Sequence, residues 1–255
     1  MLINFEEYRA MYEAEEKLWW YKVLHEKVLK EIRLKFVENK QIKILDAGCG
    51  TGGLMSFLIK NGYQNIQGFD YSKDAVSFCK ERNLSVQQID ITNFDDVFEK
   101  EIFDVIINDD VVYQFDNLTI KKIFLTFQTN LKSDGILISN NNAFNFFYGT
   151  HDIAVGGKQR FSLSDFEQIL KEIPLKIVYY SYWSWVLSPL ILTVRLLQQL
   201  RLKLNLIDLK KIKSDVVVPS DFINNFLYQI VKIEEKLLKK GFFGSSLFMV
   251  LKKND

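Results

Sequence analysis

The chain alternates between short apolar runs and longer amphipathic segments from about residue 42 to residue 140. Short apolar runs that stop at glycine or at an acidic residue are typical of buried parallel strands. Five such strands are predicted, at 43–46, 66–70, 84–89, 103–108 and 136–139. Amphipathic helices are predicted between them, at 54–61, 73–82 and 118–131. This alternation predicts an α/β fold with a doubly wound, mostly parallel sheet and helices on both faces.

The two flanks of this region have a different pattern. Residues 4–38 are rich in Glu, Lys, Leu and Tyr and contain neither Gly nor Pro, which predicts helix. Beyond residue 140, a long loop over 141–160 precedes further elements, predicted as helices at 163–171, 186–202 and 221–239 and as strands at 175–183 and 247–251. We expect one domain over 1–255, with a core at about 40–140, 172–184 and 244–252 and a cap at about 1–38 and 141–225.

Composition narrows the classes of function. The 255 residues are 48% hydrophobic and 25% charged, which argues against a largely disordered chain. A net charge of +1, from 33 basic and 32 acidic residues, argues against a general nucleic-acid binder. Two cysteines exclude a disulfide framework and argue against a cysteine-based zinc site, so no metal is expected. The N-terminus lacks the pattern of a signal peptide, and a cytoplasmic location is expected.

The strongest chemical signal is a glycine-rich loop after the first strand of the alternating region. Its glycines let a ligand approach the backbone, and the following helix N-terminus presents free N–H groups. Gly48, Gly50 and Gly53 match the dinucleotide pattern G-x-G-x-x-G. Gly48, Gly50 and Gly52 match G-x-G-x-G, the pattern of Rossmann-like enzymes that use S-adenosylmethionine (SAM). The loop alone does not choose between these two ligands.

Three acidic residues follow three consecutive predicted strands. Asp46, Asp70 and Asp90 each stand at the carboxyl end of a strand, where sheets of this kind bind ligands. Asp70 would suit the ribose of NAD as well as the ribose of SAM, so it does not distinguish the two ligands. A carboxylate at Asp46 would repel a pyrophosphate but favour the cationic end of an amino acid. Asp90 offers an acceptor to an exocyclic amine such as that of adenine. The alternative is that the three acids only cap helices.

Together, these motifs resemble those of class I SAM-dependent methyltransferases. The resemblance spans about 40–140 and rests on five segments in that family's order, Ile44–Gly52, Gly68–Ser72, Gln88–Ile91, Phe103–Val111 and Leu131–Leu137. It implies a seven-stranded sheet of order 3-2-1-4-5-7-6 whose seventh strand is antiparallel. One position departs from the family, because Gln114 stands where related enzymes often have a histidine. Glutamine cannot act as a base.

The resemblance also implies which residues would hold SAM. Asp46 would orient the methionine part, Asp70 would bind the ribose, and Asp90 would bind the adenine amine. The other cofactor contacts implied for the core are Gly48, Cys49, Gly50, Gly52, Tyr71, Ile91 and Asn108. Among them, Ile91 would offer its N–H to the adenine ring, and Asn108 would offer its carbonyl to the amino group.

A narrower resemblance covers the N-terminal flank. The segment Glu16-Lys17-Leu18-Trp19-Trp20-Tyr21 is similar to one in bacterial methyltransferases often linked to glycan, lipid or secondary-metabolite pathways. In that subgroup the helix lies over the SAM pocket, which implies cofactor contacts for Trp20 and Lys22. The alternative is a helix that packs on the core through its aromatic face.

The segment after the fifth strand resembles the same subgroup. Tyr148–Asp152 and Lys158–Phe161 are similar to its His-Asp and Arg-Arg-Phe/Tyr segments. His151 follows the fifth strand at the ligand edge, and a neutral imidazole there is predicted to act as a general base, oriented by Asp152 or another carboxylate. The alternative is that His151 only holds the loop by a hydrogen bond. Contacts with the acceptor are predicted for Asp109, Tyr113, Tyr148 and Arg160.

These features predict a methyltransferase that moves the SAM methyl to a small hydrophobic or aromatic acceptor, with O-methylation in a biosynthetic pathway favoured and S-adenosylhomocysteine as product. A SAM-binding protein without catalysis and an NAD-dependent oxidoreductase are the alternatives. The apolar helix at 186–202, with basic residues over 195–213, suggests peripheral contact with a membrane. The competing interpretation is a helix that covers the pocket. The sequence leaves the oligomeric state open.

Overall fold

Seven strands form one mixed sheet in the computed structural model, which describes residues 5–37, 39–208, 212–238 and 240–254. The strands are β1 (Ile44–Ala47), β2 (Ile66–Asp70), β3 (Val86–Gln88), β4 (Phe103–Asp109), β5 (Leu131–Asn142), β6 (Leu175–Trp183) and β7 (Ser246–Lys253). Their order is β3-β2-β1-β4-β5-β7-β6, and β7 runs antiparallel to both neighbours. The predicted α/β fold, the strand order and the antiparallel seventh strand are confirmed.

Helices surround this sheet. Within the described ranges they are α1 (Phe5–Ala14), α2 (Trp19–Phe36), α3 (Gly53–Lys60), α4 (Lys73–Glu81), α5 (Asn117–Asn130), α6 (Thr150–Ala154), α7 (Leu163–Leu170), α8 (Ser188–Lys203) and α9 (Asp221–Leu237). Short 3₁₀ turns at Val112–Gln114 and Asn145–Phe147 follow β4 and β5. The three helices predicted in the alternating region lie within one residue of α3, α4 and α5, because strand and helix periodicities differ clearly there.

Adjacent residues of the central strands point to opposite faces of the sheet and fill two separate cores. Ile44 and Val105 belong to the core that includes residues of α2 and α3. Leu45 and Ile106 belong to the core that includes residues of α5 and α7. All four side chains are fully buried. The central strands are therefore covered on both faces, as their uninterrupted apolar runs predicted.

The predicted continuous helix over 4–38 is interrupted by a turn at 15–18, between α1 and α2. Glu15 is turned inward at this point and is buried. Its Oε2 accepts hydrogen bonds from Thr51 Oγ1 at 2.5 Å and from Arg82 Nη1 at 2.7 Å. Helix propensity alone would continue the helix, but these contacts with distant elements hold the chain in a turn, since tertiary context overrides propensity.

Two further predictions from the sequence, a turn over 132–135 before the fifth strand and a helix cap at Ser220, also differ from the structure. Leu131 pairs with Phe103 and Ile136 pairs with Val105, so residues 132–135 bulge out of β5 instead of forming a turn before it. At the start of α9, Ser220 makes no capping hydrogen bond through its side chain.

The cap lies over the carboxyl edge of the sheet and draws on both ends of the chain. α1 packs against α4, α2 packs against α9, and α6 packs against α8. The segment 212–220 joins these parts, because Ser214 N donates to Glu7 Oε1 and Asp215 N donates to His151 Nδ1, both at 3.2 Å. The cap therefore encloses the edge where the sequence motifs predicted a ligand.

Candidate active site

A cavity of about 520 Å³ lies between the carboxyl edge of the sheet and the cap. This volume is typical of a small-molecule site. From the sheet and its loops, its lining includes Asp46, Gly48, Cys49, Gly50, Asp70, Asp90, Asp109, Asp110 and Tyr113. From the cap, it includes Tyr8, Glu15, Trp20, Tyr21, His151, Arg160 and Arg195. The cavity is continuous from the glycine loop to the α6 region.

The glycine loop surrounds one end of the cavity. Gly48, Gly50 and Gly52 have φ angles of +86°, +53° and +83°, in the left-handed region that glycine adopts at little cost. A side chain at Gly48 would collide with Val111, because its Cβ would lie 2.4 Å from Val111 Cγ2. The loop therefore requires glycine both for its backbone conformation and for space.

Two of the three predicted acids accept hydrogen bonds from nearby backbone. Asp70 Oδ2 accepts from Gly50 N at 3.0 Å and Asp70 Oδ1 accepts from Ser72 N at 2.9 Å, so this carboxylate also fixes the glycine loop. Burial raises the pKa of Asp70 to about 6, against the effect of these hydrogen bonds. Asp90 is exposed, and its Oδ1 accepts from Thr92 N at 2.9 Å.

The third acid, Asp46, is buried at the end of β1 and faces other carboxyl groups. Burial, with the nearby charges of Glu15 and Asp70, raises the pKa of Asp46 to about 8. Burial likewise raises the pKa of Glu15, although Arg82 and Thr51 oppose this effect. This end of the cavity therefore concentrates carboxyl groups that are costly to ionise without a bound cation.

Two consecutive carboxyl groups lie at the carboxyl end of β4, where Asp109 is the last residue of the strand and Asp110 follows it. Asn140 N donates to Asp109 Oδ1 at 2.9 Å, and Asn140 Nδ2 donates to Asp110 Oδ2 at 2.8 Å. Burial strongly raises the pKa of Asp109, and the neighbouring Asp110 adds to this effect. Burial also raises the pKa of Asp110, to about 7. Asp109, Asp110 and Tyr113 all line the cavity.

His151 also lines the cavity, but its hydrogen bond disfavours the predicted base role. Asp215 N donates to His151 Nδ1 at 3.2 Å, and burial lowers the pKa of His151. The neutral imidazole that results carries its proton on Nε2, because Nδ1 is the acceptor in this bond. In this tautomer Nε2 is a donor and cannot take a proton from an acceptor hydroxyl. The hydrogen bond instead favours the alternative interpretation, in which His151 holds a segment of the cap.

Asp152 does not orient His151 through a hydrogen bond. Its Oδ1 and Oδ2 accept from Arg160 Nε at 2.8 Å and from Arg160 Nη2 at 3.0 Å, and its Oδ2 also accepts from Gly149 N at 2.8 Å. Both partners of this ion pair are buried. The pair fixes the segment after β5, and it places Arg160 at the cavity wall while Asp152 lies behind it.

Comparison with known proteins decides the family. A family model described as a methyltransferase domain matches residues 38–174, which is more than half of the chain. The chain belongs to the class I SAM-dependent methyltransferases. A ubiquinone biosynthesis O-methyltransferase from Rickettsia typhi is 24% identical over 136 residues, which cover 47% of this chain and 54% of that protein. The chain therefore spans about half the length of this curated relative.

Solved structures agree with the fold of this methyltransferase. A SAM-dependent methyltransferase from Archaeoglobus fulgidus has 17% identity and a TM-score of 0.53, covering 90% of this chain and 94% of that one. A SAM-dependent methyltransferase from Clostridium acetobutylicum has 15% identity and a TM-score of 0.55, covering 92% of each chain. At these identities the likeness shows the fold alone.

SAM, the cofactor of the family, fits the chemistry of the cavity. Gly48 and Gly50 of the glycine loop line the cavity without side chains, so a ligand can approach their backbone. The carboxyl groups of Asp46 and Asp70 have raised pKa values, and a ligand with cationic sulfonium and ammonium groups would favour their ionised forms. Asn108 lies just behind, where its Nδ2 donates to Ala47 O at 2.8 Å.

The structure separates the other predicted contacts into two groups. Tyr71, Ile91 and Trp20 line the cavity, and Trp20 also stacks on Trp183 with ring centroids 5.5 Å apart. The predicted contacts outside the lining are Gly52, Asn108, Lys22, Tyr148 and Asp152. Lys22 Nζ lies over the Tyr228 ring, 4.2 Å from its centroid, and Tyr148 Oη donates to Gly157 O at 2.9 Å.

Several lining residues were not singled out from the sequence. Glu15 and Tyr8 come from the N-terminal segment, which the sequence predicted only as helix. Tyr21 lies between the predicted contacts Trp20 and Lys22 in the aromatic segment. Arg195 is buried, and its Nη2 lies 2.5 Å from Asp215 Oδ2. The one available signal for this contact was that Arg195 directly follows an uncharged run over 177–194.

In the described part of the chain, no helix is long and apolar enough to cross a membrane. The described residues also contain no group of three or more His, Cys, Asp or Glu that could hold a metal ion. Of the predicted basic stretch over 195–213, Lys210 and Lys211 lie outside the described residues.

Proposed function

We propose that this methyltransferase transfers a methyl group to a hydroxyl oxygen of a small hydrophobic or aromatic acceptor. The observation that carries the proposal is one continuous cavity that joins the glycine loop to a wall of acidic and aromatic side chains. Asp110, Tyr113 and Phe115 from the β4 side and Tyr21 from α2 belong to that wall. The O-methyltransferase named for ubiquinone biosynthesis among the relatives supports oxygen as the atom that is methylated.

When bound, SAM supplies an electrophilic methyl group. For the chain's own residues, we propose that Asp70 and Asp90 hold the ribose and adenine, and that the glycine loop and Asp46 hold the methionine part. The cap would exclude water from the acceptor. Placing two reactants together in a dry site can lower a barrier by about 7–11 kcal/mol, so positioning is the main contribution we expect from these residues.

Calorimetry and product analysis test this proposal. We expect SAM to bind and NADH not to bind, and S-adenosylhomocysteine to be released in the presence of phenols or other hydroxyl acceptors. SAM binding without methyl transfer to any acceptor class would favour the second candidate, a SAM-binding protein without catalysis. Gln114 supports this candidate, because it stands where related enzymes often have a histidine and cannot act as a base. Transfer to amines alone would contradict O-methylation and leave the methyltransferase assignment intact.

We also propose that the outer face of α8 contacts an anionic lipid surface, which would favour a lipid-like acceptor. Leu190, Val194, Leu197, Leu200 and Leu204 repeat every three or four residues and are between 43% and 62% exposed. Residues 184–207 contain Arg195, Arg201 and Lys203 but no acidic residue. An exposed apolar stripe with basic residues near one end suits an anionic bilayer. The inner face of α8 contributes Ile191 and Arg195 to the cavity.

A further inference from the structure

We propose that Asp110 is the group that takes the proton from the acceptor hydroxyl, an assignment that rests on the proposed O-methylation. The residue directly follows β4 and lines the cavity. Its φ angle is +53°, in the left-handed region that residues other than glycine rarely adopt. Such backbone strain persists where the surrounding structure imposes it, and it is concentrated at functional sites.

Asn140 imposes this conformation and holds one carboxyl oxygen of Asp110. Asp110 N donates to Asn140 O at 2.8 Å, and Asn140 Nδ2 donates to Asp110 Oδ2 at 2.8 Å. The Asn140 amide is itself oriented, because Trp183 Nε1 donates to Asn140 Oδ1 at 2.9 Å. Each member of this chain of hydrogen bonds fixes the next, so the carboxyl group of Asp110 is preorganised.

The second oxygen, Asp110 Oδ1, has no hydrogen-bond partner among the described residues and is shielded from water, and the same is true of Asp109 Oδ2. Buried polar atoms are nearly always paired in folded proteins, so an unpaired one at a cavity wall requires an explanation. Once the carboxyl group turns toward the cavity that Asp110 lines, a hydroxyl group of a bound acceptor would supply the missing hydrogen bond. The proton of this hydrogen bond is the one that the carboxylate would take.

The charges around the two adjacent carboxyl groups distinguish their roles. Asp109 faces the negative charges of Asp46 and Asp110, which add to the effect of burial and hold its pKa far above the ordinary value. Asp110 faces the Arg160 guanidinium, which opposes the effect of burial, and its pKa is about 7. Asp110 is therefore easier to ionise than Asp109 and is the better proton acceptor of the two.

Other groups on this side of the cavity are less suitable as proton acceptors. Burial raises the pKa of Tyr21 and that of Tyr113, and the charge of Asp110 raises both further, so both phenols stay protonated. Gln114 has no basic form. His151 accepts the Asp215 N–H at Nδ1, which leaves Nε2 as a donor.

In the proposed step, the O–H bond of the acceptor breaks and its proton goes to Asp110. The electron pair of that oxygen forms the bond to the methyl carbon, and the pair of the broken carbon–sulfur bond stays on sulfur. Asp110 then returns its proton to water. A phenol that is already ionised does not need this proton transfer.

The test compares two phenols in the complete protein, with 4-methylphenol as the weakly acidic probe and 4-nitrophenol as the probe that is largely ionised at alkaline assay pH. Asp110→Asn keeps the size of the side chain, and asparagine tolerates the left-handed conformation. We expect kcat/KM for 4-methylphenol to fall at least about 100-fold, and kcat/KM for 4-nitrophenol to fall less than about fivefold. Asp110→Gly, which relieves backbone strain, should show the same selectivity. The exposed Asp96→Asn is the matched control.

An independent readout is the titration of aspartate carboxyl ¹³C resonances in the unliganded protein. We expect one resonance that titrates near pH 7 in the wild type and is missing from Asp110→Asn. Equal losses with both phenols, or changes below fivefold with both, would overturn the base role while O-methylation stands. If the wild type methylates neither phenol, O-methylation of phenols is contradicted, and the assignment of Asp110 as its base is contradicted with it.

Discussion

At the scale of single residues, the carboxyl groups in and behind the cavity wall differ in the hydrogen bonds and ion pairs that stabilise their negative charge. Asp70 accepts two backbone N–H groups, Asp152 is paired with Arg160, and Asp46 has neither kind of partner in the hydrogen bonds of the described chain. These differences follow from position and not from residue type. They separate structural carboxylates from those that are poised to meet a ligand.

Replacing Asp70 by asparagine should weaken SAM binding. The substitution removes the charge that would accept the ribose hydroxyls, and a hydrogen bond to a charged group contributes roughly 1.5–3 kcal/mol. We expect the Kd from calorimetry to rise about 10- to 100-fold. Asp96→Asn makes the same chemical change on an exposed side chain and should leave the Kd unchanged. Equal affinity of Asp70→Asn and wild type would remove Asp70 from the cofactor site.

Replacing His151 by alanine separates its two interpretations. If His151 mainly holds the 212–220 segment through Asp215, KM for the acceptor should rise severalfold while kcat stays within about threefold. The pH at which kcat/KM is half-maximal should not move. A fall in kcat of tenfold or more, with a displaced pH midpoint, would restore the base role to His151.

At the scale of elements, Glu15 ties the N-terminal cap to the end of α4 by a buried ion pair and to the glycine loop by a hydrogen bond. Glu15 and Arg82 are 6% and 9% exposed, and Glu15 also accepts the Thr51 hydroxyl. Arg82 Nη2 donates to Tyr12 O at 2.9 Å, so a residue just beyond α4 holds α1 as well. The two elements are therefore coupled, and removing one partner leaves a buried charge.

We expect Arg82→Met to lower the free energy of unfolding by about 3–5 kcal/mol, because it leaves Glu15 buried without its counter-ion. Denaturant unfolding measures this change. The double variant Glu15→Gln/Arg82→Met should recover much of the loss, since it removes the unpaired charge. Additive losses in the two single variants would show that the ion pair does not couple α1 to the glycine loop.

The outer face of α8 makes a second prediction for an element. Leu197→Lys/Leu200→Lys should reduce co-sedimentation with phosphatidylglycerol vesicles at least about fivefold, because it places charge on the apolar stripe. Leu125, on α5, is 49% exposed and provides the matched control as Leu125→Lys. Wild-type binding to phosphatidylglycerol vesicles that is no stronger than binding to neutral vesicles would contradict the proposed surface.

At the scale of the whole molecule, the carboxyl groups of the cavity link stability to pH. The folded-state pKa values of Asp46, Asp70 and Asp110, about 8, 6 and 7, all exceed the ordinary value of 3.8. Between the ordinary and the raised values the folded protein binds more protons than the unfolded chain. Stability of the unliganded protein therefore falls as pH rises through this window and levels off above about 8.

We expect the Tm of the unliganded protein to fall by at least about 5 °C between pH 5 and pH 8. SAM should raise Tm more at pH 8 than at pH 5, because a cationic ligand favours the ionised carboxylates. Thermal unfolding with and without SAM at both pH values measures the effect. In Asp46→Asn/Asp110→Asn the fall should be smaller, and an unchanged slope would assign it to other groups.

The sequence by itself determined the sheet. Short apolar runs ending at glycine or an acid predicted buried parallel strands, and β1, β2 and β4 lie within a residue or two of those positions. The glycine loop and the three acids were also readable, because local chain geometry places strand ends and turns without reference to distant contacts. The family resemblance extended this information to the strand order.

Only the tertiary structure decided how the two flanks complete the cavity. The break between α1 and α2 depends on Glu15 meeting Arg82, which is 67 residues away in sequence. The tautomer of His151 depends on a backbone N–H 64 residues away. The position of the Asp110 carboxyl group depends on Asn140, which binds one of its oxygens, and on Trp183, which orients the Asn140 amide. Periodicity and motifs contain information only about neighbours along the chain. Burial and hydrogen bonding set the protonation state of each acid and base, and they depend on residues that meet only after folding.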